Sequence, residues 1–260
     1  MYKYGQKKRR LKPGTFPPLG LKPRGFHALK RSFCDMTTPC VSVHEVVKTY
    51  RLGTSLVPAL QGISLEVADA EFVALCGASG SGKTTLLNLI GGLDQPTSGS
   101  VTVAGVEVAT CTDSQLAELR NRAIGFIFQT FNLIPVLSVY ENVEYPLVIR
   151  RMPRSERQPR VEAMVAAVGL RAFMAHKPGE LSGGQMQRVA IARALVTEPR
   201  LVLADEPTAN LDSRTGVAIL ELMQAMHRQH GTTFLFSTHD HQVLRYADTV
   251  YQMQDGQLRA

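Results

Sequence analysis

Gly77-Ala78-Ser79-Gly80-Ser81-Gly82-Lys83-Thr84 decides the fold. The stretch fully matches G-x-x-x-x-G-K-[ST], in which glycines let backbone N–H groups converge on a phosphate. The apolar run Glu71-Phe-Val-Ala-Leu-Cys76 leads straight into it and reads as a strand. Lys83-Thr-Thr-Leu-Leu-Asn-Leu-Ile90 reads as a helix, whose N-terminus adds the positive end of its dipole. In such a loop Lys83 reaches the β- and γ-phosphates and the Thr84 hydroxyl holds Mg2+. A plain glycine-rich turn is the competing reading. The four fixed positions, with a strand before and a helix after, favour phosphate binding.

On either side the chain alternates between layers. Residues 41–50 and 63–67 have the β-branched alternation of strands. Residues 100–108 read as a hairpin turning near Gly105, which predicts an antiparallel β layer beside the loop. Thr112 and Gln115 have capping-box spacing before a helix, and residues 124–128 form a short apolar strand suited to burial in a parallel sheet. From about 130 to 185 the pattern becomes mostly helical. Ser138 and Glu141 repeat the capping box there, and Gly169 stops a helix over 161–168. Residues 200–204 and 232–236 then read as core strands separated by a helix over 214–229. Strands alternating with helices predict an α/β fold with a parallel sheet.

The formal charge of +7 is unevenly spread. Residues 1–40 hold ten Lys or Arg against Asp35 alone, a net +9, and residues 41–260 sum to −2. The near-neutral remainder gives no support for a nucleic-acid partner. The first 40 residues are also rich in Pro and Gly and read as a disordered extension without the apolar run of a secretory signal. Three readings compete for it: a tether to anionic lipid, a nucleic-acid-binding arm, or a segment without function. The last is preferred, because the folded pattern begins after Met36. No apolar run approaches the ~20 residues of a membrane-spanning helix, so membrane association is expected to come through a partner. Cys34, Cys40, Cys76 and Cys111 lack paired metal spacing and read as reduced thiols. Arg150, Arg151, Arg154, Arg157 and Arg160 crowd the helical insert. A solvated face is preferred there over a lipid- or partner-facing patch.

Two further stretches carry chemistry. Leu201-Val-Leu-Ala-Asp205-Glu206 is an apolar strand ending in two acids. Asp205 at a strand end opposite a phosphate loop suits Mg2+ coordination, and Glu206 suits orienting or deprotonating a water attacking the γ-phosphate. Leu181-Ser182-Gly183-Gly184-Gln185 is a second glycine motif, opening a helix over 186–196.

Phosphate loop, acidic strand end and second glycine motif, in this order, resemble the nucleotide-binding subunit of an ABC (ATP-binding cassette) transporter over residues 41–260. The resemblance implies a P-loop NTPase core with a parallel sheet, an antiparallel β subdomain and an inserted helical subdomain. It implies ATP and Mg2+ as ligands. Gly77, Ala78, Ser79, Gly80, Ser81, Gly82, Lys83, Thr84 and Thr85 then contact the nucleotide, and Tyr50 stacks on adenine. Gln129, directly after the strand at 124–128, touches Mg2+ and the attacking water, and His239 contacts the γ-phosphate. Leu181–Gln185 matches the family signature, and Ala209-Asn-Leu-Asp212 resembles the loop crossing between two subunits. In the resembled family two subunits pack head to tail. Ser182, Gly183, Gly184 and Gln185 of one cap the phosphate held by the other, their N–H groups having nothing to bind in their own chain.

Glu141-Asn-Val-Glu-Tyr-Pro-Leu147 and Phe131-Asn-Leu-Ile-Pro135 resemble the lipoprotein-release and macrolide-export type. Apolar residues over 131–137 are expected to form a groove for a helix of a transmembrane permease subunit, or else to pack inside the insert. The expectation is a peripheral ATPase on the cytoplasmic face of the inner membrane, driving that permease. The alternative is a non-transport ATPase regulating a membrane-bound cell-wall enzyme. A soluble ATPase of DNA repair or translation is disfavoured, since the chain has neither a long coiled coil nor two fused cassettes.

Overall fold

A computed structural model describes residues 39–240 and 243–259. The basic extension, apart from residues 39 and 40, lies outside the described residues. In chain order the elements are β1 (Val41–Leu52), β2 (Ser55–Val67), β3 (Phe72–Cys76), α1 (Lys83–Ile90), β4 (Ser98–Val103), β5 (Val106–Glu107) and α2 (Asp113–Ala123). There follow β6 (Ile124–Ile127), α3 (Val139–Ile149), α4 (Arg154–Ala167), α5 (Gly183–Leu195), β7 (Leu201–Ala204), α6 (Ser213–His230), β8 (Thr233–Thr238), β9 (Thr249–Gln254) and β10 (Gln257–Arg259).

Two sheets result. An antiparallel one runs β2-β1-β4-β5, and the larger runs β10-β9-β3-β8-β7-β6. In the larger sheet β9, β3, β8, β7 and β6 are mutually parallel, and only β10 is antiparallel. Its central strands are buried at every position, as covering on both faces requires. Alternate residues feed two separate cores. Phe72, Ala74, Val202, Ala204, Phe234 and Phe236 face α3, α4, α5 and α6. Val73, Leu75, Leu201, Leu203 and Leu235 face α1, α2 and the antiparallel sheet. Phe72 lies 5.3 Å from Phe234 and 5.1 Å from Phe236, ring centre to ring centre.

Most predicted elements are present, with physical reasons where they differ. β2 begins at Ser55, eight residues before the alternation read from the sequence, because its outer half is an exposed arm paired only to β1. The hairpin turns at Gly105 (φ +84°), but Val108 leaves the sheet in a single helical turn. Both capping boxes form, at Thr112–Gln115 and Ser138–Glu141. The chain ends its described part in a β9–β10 hairpin that the sequence pattern does not mark.

Within the insert the arginines are neither a bare solvated face nor a free basic patch. Arg150 is half-buried and donates to the carbonyls of Asn121 and Thr197. Arg157 pairs with Glu144 at 2.6 Å, joining α4 to α3, while Arg151 and Arg154 are exposed. Asn142, fully buried on α3, bonds Ile134, Leu137 and Ser138, and so fixes the segment before the helix. Leu133 of that segment packs on the core, as the packing alternative expects, and Val136 is 72% exposed.

Candidate active site

The parallel strands all end at one edge of the larger sheet, and the residues read from the sequence leave it there. Cys76 pairs with Thr238, so Gly77 and His239 are neighbours just beyond the last rung. Ala204 pairs with Ile127 and Phe236, so Asp205, Glu206 and Gln129 follow on the same side. The crevice beyond the carboxyl ends of such strands is where α/β sheets bind ligands.

The loop is shaped by what presses on it. A Cβ at Gly77 would stand 2.3 Å from the Met253 carbonyl oxygen of β9. One at Gly82 (φ +101°) would stand 2.7 Å from the Ala59 carbonyl oxygen of β2. Gly82 caps α1 without a side chain, so the N–H groups of the first turn have no side-chain cap. Lys83, almost wholly buried, donates to the Gly77 and Ala78 carbonyls at 2.8 and 3.0 Å and so lies beneath the loop. The Ser81 hydroxyl is buried without a partner among the described residues, an orphan suited to an oxyanion ligand.

Opposite stand the two acids. Asp205 accepts from the Thr84 hydroxyl at 2.9 Å and the Ser237 hydroxyl at 2.6 Å. Glu206 takes a left-handed backbone (φ +47°), a strained state for a side chain of its kind, and its N–H donates to Ser237 Oγ. Its carboxylate is 3.5 Å from Lys83 Nζ through Oε1 and 2.6 Å from His239 Nδ1 through Oε2. Lys83, Glu206 and His239 thus form one contiguous line. Thr84 and Asp205 offer hard oxygen donors of the kind Mg2+ takes.

Tyr50 extends from β1 to Asp94, 2.9 Å away, and Lys48 covers its ring at 4.9 Å while pairing with Asp94 at 2.6 Å. Burial, then the bond to Asp94, pushes the phenol pKa up, against a hydrogen bond with Thr85 that lowers it. Gln129 has an exposed side chain, and its carbonyl accepts from Asn210. Ser182 and Gln185 form a capping box at the start of α5. The Ser182 and Gln185 N–H groups are therefore bonded within the chain, contrary to the expectation that the whole motif faces outward unbonded. Gly183 lies against Leu211, and a Cβ at Gly184 would stand 2.5 Å from Thr215 Cγ2.

A family model described as "ABC transporter" matches residues 60–209. The ATP-binding protein YvrO of Bacillus subtilis (strain 168), described as an uncharacterized ABC transporter protein, is 46% identical over 84% of this chain and 95% of its own. The chain belongs to the ABC transporter family. The lipoprotein-releasing system ATP-binding protein LolD of Alcanivorax borkumensis is 46% identical over 86% of this chain and 98% of its own. The macrolide export ATP-binding/permease protein MacB of Brucella melitensis is 44% identical over 85% of this chain but 34% of its own. Among solved structures, a dimeric post-hydrolysis state of the ATP-binding cassette MJ0796 with ADP and Pi superposes with a TM-score of 0.79. It is 42% identical over 85% of this chain and 97% of that one.

The protein is an ABC ATP-binding subunit and an ATPase, of a family whose cassettes dimerise and serve membrane permeases. No helix among the described residues is long and apolar enough to cross a membrane. Three residues around the cassette's site were not marked by any motif: Ser237, Gln187 and Arg193, whereas Asn210 lies on the loop already read as crossing between subunits. Gln187 is fully buried and donates to the Pro207 carbonyl at 2.7 Å, directly behind Glu206. Each of the three is a polar side chain inside an apolar strand or helix, and that misfit with its neighbours is the signal available in the sequence.

Proposed function

We propose that this cassette hydrolyses MgATP at the cluster of Lys83, Thr84, Asp205, Glu206 and His239. It does so as half of a head-to-tail dimer that drives a membrane permease from the cytoplasmic face. The observation that carries the proposal is the unbroken contact line Lys83–Glu206–His239 beside Thr84–Asp205. The first turn of α1 and Lys83 hold the β- and γ-phosphates, and the second face of the Tyr50 ring receives adenine. Glu206 accepts a proton from a water attacking the γ-phosphorus while the bond to the ADP oxygen breaks. His239 holds Glu206 in place, and His239 and Gln129 meet the γ-phosphate. Mg2+ when bound would neutralise phosphate charge, with Thr84 and Asp205 holding it.

Ser182, Gly183, Gly184 and Gln185 act on the partner's nucleotide. The Gly183 and Gly184 N–H groups at the start of α5 are the donors that remain for it. Similarity to LolD and MacB supports a permease of the lipoprotein-release or macrolide-export kind. The near-neutral charge of residues 41–260 supports a protein partner rather than nucleic acid.

Mixing two inactive variants tests the shared site. Gly183→Asp sets a carboxylate against the partner's γ-phosphate, and Lys83→Ala disables the loop. Mixed dimers hold one site with both lesions and one with neither, so ATP-dependent dimerisation and some hydrolysis return. If mixing restores neither, under conditions where the unmutated protein dimerises, the trans site is ruled out.

A further inference from the structure

Gln129 stands at the start of an unusual backbone. Phe131 (φ +63°) and Asn132 (φ +48°) are successive non-glycine residues in the left-handed region. Such residues persist only where their surroundings hold them. Arg193, on the signature helix α5, does the holding: Nη2 donates to the Phe131 carbonyl at 2.9 Å and Nη1 to the Asn132 carbonyl at 2.6 Å. Helix-like backbone aligns successive carbonyls, and the planar guanidinium fork matches two of them as no ammonium could. Among the described residues Arg193 has no carboxylate in a salt bridge, and burial alone lowers its pKa. The charge is thus spent wholly on the chain after Gln129. From the other side, Asn210 of the loop after Glu206 donates to the Gln129 carbonyl at 2.9 Å.

We propose that Arg193 is a positioning residue for hydrolysis, fixing Gln129 relative to the phosphate loop and tying that placement to the helix that carries the signature. The proposal rests on Gln129 meeting the γ-phosphate, and it adds what sets Gln129's place. The signature and Gln129 then travel together, since one helix carries the first at its N-terminus and grips the second near its C-terminus.

The test is a double-mutant cycle on the full-length chain, with kcat and KM for MgATP measured in each arm. Arg193→Met, which keeps the stem and loses the fork, should lower kcat about ten-fold or more. KM should stay within about two-fold. Arg193→Lys, with charge but no fork, should fall between. In a Gln129→Ala background, adding Arg193→Met should change kcat by less than about two-fold, because both act through one group. Equal losses in the two backgrounds, or unchanged kcat in Arg193→Met, would overturn the proposal while leaving the role of Gln129 standing. Full turnover in Gln129→Ala would instead remove that role, and the proposal with it. If Arg193→Met fails to fold by circular dichroism, Arg193→Lys carries the cycle with the same outcomes.

Discussion

His239 Nδ1 lies 2.6 Å from Glu206 Oε2, although His239 is the exposed member of the pair and Glu206 is mostly enclosed. The histidine therefore reaches in from solvent to orient the carboxylate. His239→Ala should keep nucleotide binding and lower kcat by roughly ten- to a thousand-fold, within the range of a misoriented base. Phosphate release and equilibrium binding, measured together, check this. A variant with full turnover would detach His239 from the reaction.

Glu206→Gln preserves shape and removes the proposed base. Turnover should fall by about a hundred- to ten-thousand-fold, with ATP still bound. On gel filtration the variant should elute as an ATP-trapped dimer, and turnover near that of the unmutated protein would end the assignment.

Ser237 is fully buried and serves both acids, donating to Asp205 and accepting from the Glu206 N–H. Ser237→Ala leaves a strained backbone without its anchor and should cost about 1–3 kcal/mol. Urea unfolding measures that loss, and kcat should drop alongside it. A stable variant with reduced kcat would place the effect wholly in Glu206's geometry.

Gly125 of β6 has no space for a side chain, since a Cβ would stand 2.5 Å from the Ala194 carbonyl oxygen of α5. Gly125→Ala should push α5 off the sheet and destabilise by about 1–3 kcal/mol, read as a lower thermal midpoint. An unchanged midpoint would mean the two elements part freely.

Asp94 tests the Tyr50 support through pH. Burial pushes its pKa up, but hydrogen bonds from Lys48, the Gln95 backbone and Tyr50 outweigh this and hold it below the usual aspartate value. A folded-state pKa below the unfolded one means the charged form favours folding. Its stabilisation is full above the ordinary aspartate value and fades as pH falls through the folded one. The urea midpoints of the unmutated protein and Asp94→Asn should therefore differ at pH 7, and the gap should close only as pH falls below the ordinary aspartate value of about 3.9 and on through the folded one. A gap that persists in acid would assign the effect to packing.

The sequence was most readable where function demands backbone geometry. The loop at 77–84 and the capping boxes at 112 and 138 depend on residue types at fixed short spacing, so their pattern is local. Ser237, Gln187 and Arg193 act across 20 to 62 residues. Nothing near them in the sequence marks their partners. The arginines of the insert could not be told apart for the same reason: carbonyls at Asn121 and Thr197 claim Arg150, while Arg151 and Arg154 stay exposed. The β9–β10 hairpin carries an exposed-intermediate alternation with one buried methionine, too faint a pattern against the motif-rich segments before it.

β3 lies between β8 and β9, both of which enter the chain long after it. During synthesis the phosphate loop therefore leaves the ribosome well before the strands that wedge and complete it, and Thr84 must wait for an acid 121 residues away. Closing so long a loop costs entropy before any contact repays it. A nascent chain that ends before β8 lacks the rung beside Cys76 and the Ser237 anchor, and β9's pressure on Gly77 comes later still. The nucleotide-binding edge is thus assembled only once β8 and β9 have joined β3, and a ligand held there favours the molecules in which they have.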